Sequence, residues 1–138
     1  FIGDAIMAVF GTPQAESNNA ANGIEAGRKM LQRLPSLNAE LKAEGLPEIE
    51  IGIGVHCGDA IAGNVGSVSR MDYTVIGDTV NVAARIESMT KELGKTLLVS
   101  KDAANESNLS DLEKAGEVNL KGKSERVELY FDASGSTP

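Results

Sequence analysis

The sequence predicts one α+β domain in which helices pack over a largely antiparallel sheet. Three observations predict it. Short apolar runs, one of them strictly alternating, are interleaved with amphipathic stretches in the order strand, long helix, hairpin, strand, helix, strand, small helix, hairpin. The length, 138 residues, matches a single domain of about 100–200 residues and is enough to bury roughly two-thirds of the surface the unfolded chain exposes. The composition, 41% hydrophobic and 24% charged, is that of an ordinary globular chain. No internal repeat and no dividing linker is visible.

The elements follow in order. Residues 5–10 (Ala-Ile-Met-Ala-Val-Phe) are a nearly unbroken apolar run closed by Gly11-Thr12-Pro13, which predicts a buried strand. Gly3-Asp4 ahead of it suits a hairpin turn with a partner strand upstream. The chain opens on these strand-like residues with no Met, which reads as a domain whose first part lies upstream of Phe1. A helix capped by Asn18 or Asn19 carries Ala20, Ile24, Leu31 and Leu34 on one stripe. Pro35 is expected to kink or end it. Leu37 and Leu41 continue the pattern in a second piece that Gly45 and Pro47 stop.

Residues 48–55 are the cleanest strand, because Ile49, Ile51, Ile53 and Val55 alternate with Glu50, Gly52 and Gly54. The glycines leave one face almost bare, so a neighbour must pack very close there. Cys57-Gly58-Asp59 reads as a tight turn, with residues 60–65 returning as the second strand of a hairpin. Residues 67–70 form a polar loop and 73–76 a short strand. Asp78 is placed to cap a helix whose apolar face is Val82, Ile86, Met89 and Leu93 and which Gly94 ends. Residues 97–99 make another strand, and Ser100 caps a short helix through Asn105. Residues 117–120 and 127–131 are two final strands joined by Lys121-Gly122-Lys123. The domain is expected over 1–132, with 133–138 a disordered tail.

Charge and composition exclude several function classes. Thirteen basic against twenty acidic residues give a net charge of −7, opposed to the basic surface that non-specific nucleic-acid binding needs. Aromatics are 4% with no Trp, a poor base-stacking platform. No run approaches the roughly 18 apolar residues of a membrane helix, so no membrane contact by this segment is expected. A single cysteine, Cys57, excludes an internal disulfide and a CxxC metal site. It also has no partner nameable as its base, so a nucleophilic role is weak. His56, alone on its face, reads as structural. The spacing of Gly58, Gly63 and Gly66 fits neither a phosphate-binding loop nor a dinucleotide fingerprint.

Three places carry chemistry. Asn81 and Arg85 are four apart, one turn from each other on a helix face beside the apolar stripe. An arginine beside an amide suits an anionic, hydrogen-bonding ligand such as a phosphorylated sugar. The competing reading is a solvated surface, with Arg85 paired to a nearby Glu. Asp4 puts a carboxylate at a strand end, compatible with Mg²⁺ or with an ordinary Gly-Asp turn. Lys121 sits on a hairpin where a lysine can reach a phosphate or protect a sheet edge.

In order along the chain, Phe1-Ile2-Gly3-Asp4-Ala5-Ile6-Met7-Ala8-Val9-Phe10-Gly11, then Ile51-Gly52-Ile53-Gly54-Val55-His56-Cys57-Gly58 with Ala62-Gly63-Asn64-Val65-Gly66, then Asp72-Tyr73-Thr74-Val75-Ile76-Gly77-Asp78-Thr79-Val80-Asn81-Val82-Ala83-Ala84-Arg85, then Leu120-Lys121-Gly122-Lys123 resembles the class III nucleotidyl cyclase catalytic domain, most nearly the bacterial adenylate cyclase type. The resemblance implies a ferredoxin-like α+β fold whose first strand and early helices lie upstream. It implies conversion of ATP to 3′,5′-cyclic AMP and pyrophosphate by two ions of Mg²⁺ or Mn²⁺ at the seam of a head-to-tail homodimer. Asp4 matches the second of the family's two metal aspartates. Thr74 matches the purine-reading position, Asn81 the residue that orients the ribose, Arg85 the transition-state arginine, and Lys121 the lysine at the terminal phosphates. The first metal aspartate and the purine-reading lysine have no match here, so the 138-residue chain alone is expected to be inactive. The −7 charge makes metal more necessary, since the overall field repels ATP. An upstream regulatory domain and a cytoplasmic catalytic domain, with a parent open to membrane attachment, are the further implications. The alternatives are a guanylate cyclase, a catalytically silent regulatory or dimerisation module, and a ferredoxin-like nucleic-acid binder, which the acidic charge disfavours.

Overall fold

Alternation along one central strand organises the molecule. In a computed structural model, which describes residues 5–10, 19–58, 61–67, 70–76, 78–119 and 126–132, with 61–67, 70–76, 78 and 118 described by backbone, the elements are α1 (Asn19–Ala43), β1 (Ile53–Val55), β2 (Ile61–Ser67), β3 (Arg70–Ile76), α2 (Asp78–Leu93), β4 (Leu97–Ser100), α3 (Lys101–Ser107), β5 (Leu112–Asn119) and β6 (Arg126–Asp132). A four-stranded sheet runs in the order β1-β4-β6-β5. β1 lies parallel to β4, and the other two pairs are antiparallel. Every residue of β4 is buried, because side chains of successive strand residues point to opposite faces and both faces are covered.

On one face Leu98 packs with Val82 and Ile86 of α2 and with Leu129 of β6. On the other, Leu97 and Val99 pack with Ile24 of α1 and Ala103 of α3. The predicted α2 stripe is realised: Val82 and Ile86 are buried, and Met89 and Leu93 pack against the same cluster. The bare glycine face is realised too. A Cβ built on Gly54 would lie 2.5 Å from the Glu87 backbone nitrogen of α2, so the helix rests directly on the strand.

Both long helices end where glycine allows a left-handed residue. At α1, Gly45 has φ +78°, Gly45 N–H donates to Lys42 O, and Leu46 N–H donates to Leu41 O at 2.8 Å. At α2, Gly94 has φ +68°, Gly94 N–H donates to Lys91 O, and Lys95 N–H donates to Thr90 O at 3.0 Å. These paired bonds satisfy carbonyls the helix end would orphan. Ser100 caps α3 as expected, accepting from Ala103 N–H at 3.2 Å, although the helix runs on to Ser107.

Four expectations are corrected. Residues 5–10 are not a buried strand. Only Ala5 forms a bridge, and Ile6, Val9 and Phe10 are exposed; no strand among the described residues gives this run a ladder. Pro35 does not end α1, which runs through it unbroken. The proline is exposed, so water can meet the Leu31 carbonyl that it leaves without an N–H. The strand expected over 48–55 shrinks to Ile53–Val55. β4 reaches only to Leu97 in register with Ile53, and the backbone of Ile49 is held instead by Asn38, whose amide donates to Ile49 O at 3.0 Å and accepts from Ile49 N–H at 2.7 Å. The returning strand does not pair with β1. β2 pairs with β3 as a separate two-stranded hairpin, from Ile61↔Ile76 to Ser67↔Arg70. The expected tail 133–138 and the Lys121 turn lie outside the described residues.

Arg28 ties α1 to the far ends of β5 and β6. Its guanidinium donates to Asp132 at 2.9 Å, to Asp111 at 2.8 Å and to Glu25. Burial alone would lower its pKa, but the bonds to Asp111, Glu25 and Asp132 outweigh that and push it above its usual value. Arg28→Ala is expected to destabilise the fold by roughly 2–3 kcal/mol, since hydrogen bonds to charged groups contribute on that scale and half-buried Asp132 loses its bonds to the guanidinium. A urea midpoint unchanged at constant slope would contradict this.

Candidate active site

The site is built on α2. Its apolar stripe must face the sheet, and at 3.6 residues per turn Asn81 and Arg85 then fall roughly 90° around the helix from that stripe. Both side chains are exposed, one turn apart. Arg85 makes no ion pair with any described residue; its backbone carbonyl accepts from Ser88 Oγ at 2.7 Å. The alternative of an Arg85–Glu surface pair is therefore not formed among the described residues. A guanidinium held on a helix, exposed and uncommitted among the described residues, can bind an oxyanion through its planar fork.

Thr74 lies in β3, directly opposite Gly63 of β2. The β2–β3 hairpin leads into α2, so Thr74 precedes Asn81 by seven residues across the strand-to-helix junction. Asp4 and Lys121 lie outside the described residues. The structure thus brings Asn81 and Arg85 together and places Thr74 on the strand before them.

Among the described residues no group of three His, Cys, Asp or Glu side chains could hold a metal ion. The donor expected for metal is the single carboxylate of Asp4. One hard oxygen donor suits Mg²⁺ but falls short of the set a two-ion site requires, so the described residues do not make up the expected metal site.

His56 and Cys57 are accounted for structurally. His56 Nδ1 pairs with Ser100 Oγ at 2.7 Å, joining the end of β1 to the cap of α3. Burial, then the hydrogen bond to Glu106, then the charges of Glu106 and Asp102 push the Cys57 thiol up to about 12. No pattern in the sequence announced Asp102 and Glu106 as neighbours of Cys57, because they lie on α3, more than forty residues away. A thiol pushed up to about 12 holds on the order of 10³-fold less thiolate near neutral pH than an ordinary one. Native Cys57 is therefore expected to alkylate about 10³-fold more slowly at pH 8 than the urea-unfolded chain. Equal rates would contradict the assignment. The folded state holds this proton more tightly, so the thiol's stabilising contribution is complete below pH 9 and is lost as pH rises towards 12.

The comparisons assign this fold to a nucleotide-cyclase domain. The family described as "Adenylate and Guanylate cyclase catalytic domain" matches residues 1–133. The chain belongs to this class III cyclase family. Adenylate cyclase 1 of Rhizobium meliloti (strain 1021) is 35% identical over 133 residues, covering 94% of this chain and 20% of that protein. The adenylate cyclase of Anabaena cylindrica is 40% identical over 140 residues, covering 94% and 26%. The chain therefore spans about a fifth to a quarter of these relatives' length. Among solved structures, the guanylyl cyclase Cya2 superposes with a TM-score of 0.79 at 28% identity, covering 94% of this chain and 65% of that one. The adenylyl cyclase CyaB from P. aeruginosa gives 0.75 at 29% identity, covering 88% and 63%.

Proposed function

We propose that the domain containing this chain converts ATP to 3′,5′-cyclic AMP and pyrophosphate at the seam of a head-to-tail homodimer. The observation that carries this is the exposed Asn81–Arg85 pair on a helix anchored by its opposite sides, with the guanidinium uncommitted among the described residues. The presence of such a pair favours an active domain over a silent module. In the reaction the ribose O3′ forms a bond to the α-phosphorus and the bond from that phosphorus to the β-phosphate oxygen breaks. The 3′-hydroxyl proton passes to solvent, and pyrophosphate leaves. Arg85 donates to the α-phosphate oxygens as charge builds on them. Asn81 holds the ribose so that O3′ lies in line with the leaving group. Lys121 holds the terminal phosphates as a point charge. Thr74 both donates and accepts a hydrogen bond, which suits the adenine edge. Asp4 is proposed as a ligand for Mg²⁺ or Mn²⁺, two ions per site, which when bound neutralise phosphate charge and acidify the 3′-hydroxyl.

The choice of ATP is supported by the two adenylate cyclase relatives at 35% and 40% identity. A guanylyl cyclase structure superposes at least as well as an adenylyl one, so the fold leaves a second reading with GTP. In the intact domain, kcat/KM for ATP is expected to exceed that for GTP by at least about tenfold, the scale on which one base edge is discriminated. Thr74→Cys should narrow that ratio. Equal or greater efficiency with GTP in the unsubstituted domain would establish the guanylate reading. The 138-residue chain by itself is proposed to form little or no product in the same assay. No helix among the described residues is long and apolar enough to cross a membrane. Catalysis is proposed to take place in the cytoplasm, under control of an upstream regulatory domain.

A further inference from the structure

Three glycines within and flanking β1 meet α2, at successive points along the helix. A Cβ on Gly52 would lie 2.3 Å from Thr90 Oγ1 and 2.9 Å from Glu87 Oε2. One on Gly54 would lie 2.5 Å from Glu87 N, 2.8 Å from Ala83 O and 2.9 Å from Glu87 Cα. One on Gly58 would lie 2.8 Å from Thr79 Oγ1. Thr79, Ala83, Glu87 and Thr90 form one stripe of α2, since they recur at spacings of four, four and three. At about 100° per residue, the Asn81–Arg85 face lies roughly 180° around the helix from that stripe. The helix is thus seated on bare strand backbone, and the two polar residues point directly away from the seat.

The three glycines differ in what opposes them. The contacts of Gly52 and Gly58 are mostly side-chain atoms, with Thr90 Oγ1 itself engaged, donating to Glu87 O at 2.7 Å. The contacts of Gly54 are all helix backbone, which has no rotamer to yield. An added methyl at position 54 must move the helix. To reach ordinary contact at 3.4 Å from 2.5 Å the displacement is about 0.9 Å, perpendicular to the helix axis and towards the face that carries Asn81 and Arg85.

We propose that Gly54, with Gly52 beside it, is a positioning residue for the cyclase reaction: it sets the depth of α2 on the sheet and so the distance of Arg85 and Asn81 from the nucleotide. This rests on the role proposed above for Arg85. Misplacing a catalytic group by about 1 Å can cost on the order of 10² in rate. The methyl also acts on orientation rather than on ground-state contacts, so kcat should fall while KM for ATP stays within about threefold.

The test uses the intact cyclase domain and a control on the other face of the sheet. Gly27 of α1 would place its Cβ 3.2 Å from Leu97 Cδ1 and 3.4 Å from Ile53 Cγ2, a tight contact made away from α2. Gly54→Ala is expected to lose about 10² in kcat, and Gly27→Ala less than about threefold. In an Arg85→Ala background, Gly54→Ala should cost less than about fivefold, since Arg85 is gone and only Asn81 remains to be misplaced. Equal losses in Gly54→Ala and Gly27→Ala, or fully multiplicative losses in the Gly54/Arg85 double variant, would overturn the proposal. Normal turnover of Arg85→Ala alone would instead overturn the role of Arg85. If Gly54→Ala fails to fold, Gly52→Ala serves in its place, paired with Thr90→Ala, which removes the oxygen at 2.3 Å. Recovery of at least about tenfold in kcat in that double variant supports the seat, and no recovery overturns it.

Discussion

Arg85→Ala in the intact domain is expected to lower kcat by at least about 10³, with KM for ATP changed by less than about threefold. Arginines that meet charge developing on a transferring phosphoryl group contribute on the order of 10³–10⁵ in rate. Their loss appears in kcat when the interaction is made mainly in the transition state. The substitution separates chemistry from folding cleanly. Arg85 is exposed and holds no ion pair among the described residues, so its removal should change stability by no more than about 0.5 kcal/mol. Arg85→Lys keeps the charge and loses the planar fork, and it should fall between the alanine variant and the wild type. Steady-state kinetics on variants with matched thermal midpoints make the measurement. A near-normal kcat would remove Arg85 from the mechanism.

The largest expected effect on stability lies under the same helix. Ile86 is fully buried among Val82, Leu98 and Leu129, with Met89, Leu93 and Phe131 around them. Ile86→Ala should cost about 2–5 kcal/mol, through lost burial and an incompletely filled cavity. That is a large share of the roughly 5–15 kcal/mol a domain of this kind holds. The thermal midpoint should drop by on the order of 10 °C. The position also distinguishes α2's anchoring side from the side proposed to meet the nucleotide: Ile86→Ala should act on stability and Arg85→Ala on turnover, although the two residues are adjacent. A shift of under about 2 °C for Ile86→Ala would contradict the packing described.

What the sequence disclosed depended on how local the physics was. The α2 face, its Gly94 stop, the apolar run Leu97–Val99 of β4 and the Ser100 cap were legible, because stripe, turn and cap are each written within a few residues. The partners of strands were not. The alternation through residues 49–55 is real in the sequence, yet only Ile53–Val55 find a ladder, and Asn38 of α1 takes over the backbone of Ile49. The partner of β2 was misassigned for the same reason: hydrophobic patterning orients a strand's faces without naming its neighbour, and β3 rather than β1 lies within reach of a tight turn. Pro35 shows the converse, a strong local signal overridden because the residue faces water. At the candidate site, spacing put Asn81 and Arg85 on one face. It could not show that Arg85 would make no ion pair among the described residues, nor that Gly54 would meet helix backbone, since both depend on contacts far apart in the chain.

In the proposed head-to-tail homodimer the resemblance to the cyclase family implies that Asp4 comes from one chain and Arg85 from its partner, and mixing two inactive variants tests that most directly. Intact domains carrying Asp4→Ala and, separately, Arg85→Ala should each be nearly inactive. In an equal mixture about half the dimers pair one variant with the other, and each mixed dimer holds one unaltered site and one doubly altered site. Cyclic AMP formation should therefore recover to about a quarter of the wild-type rate. A mixture no more active than its separate components would contradict a site built from Asp4 of one chain and Arg85 of its partner.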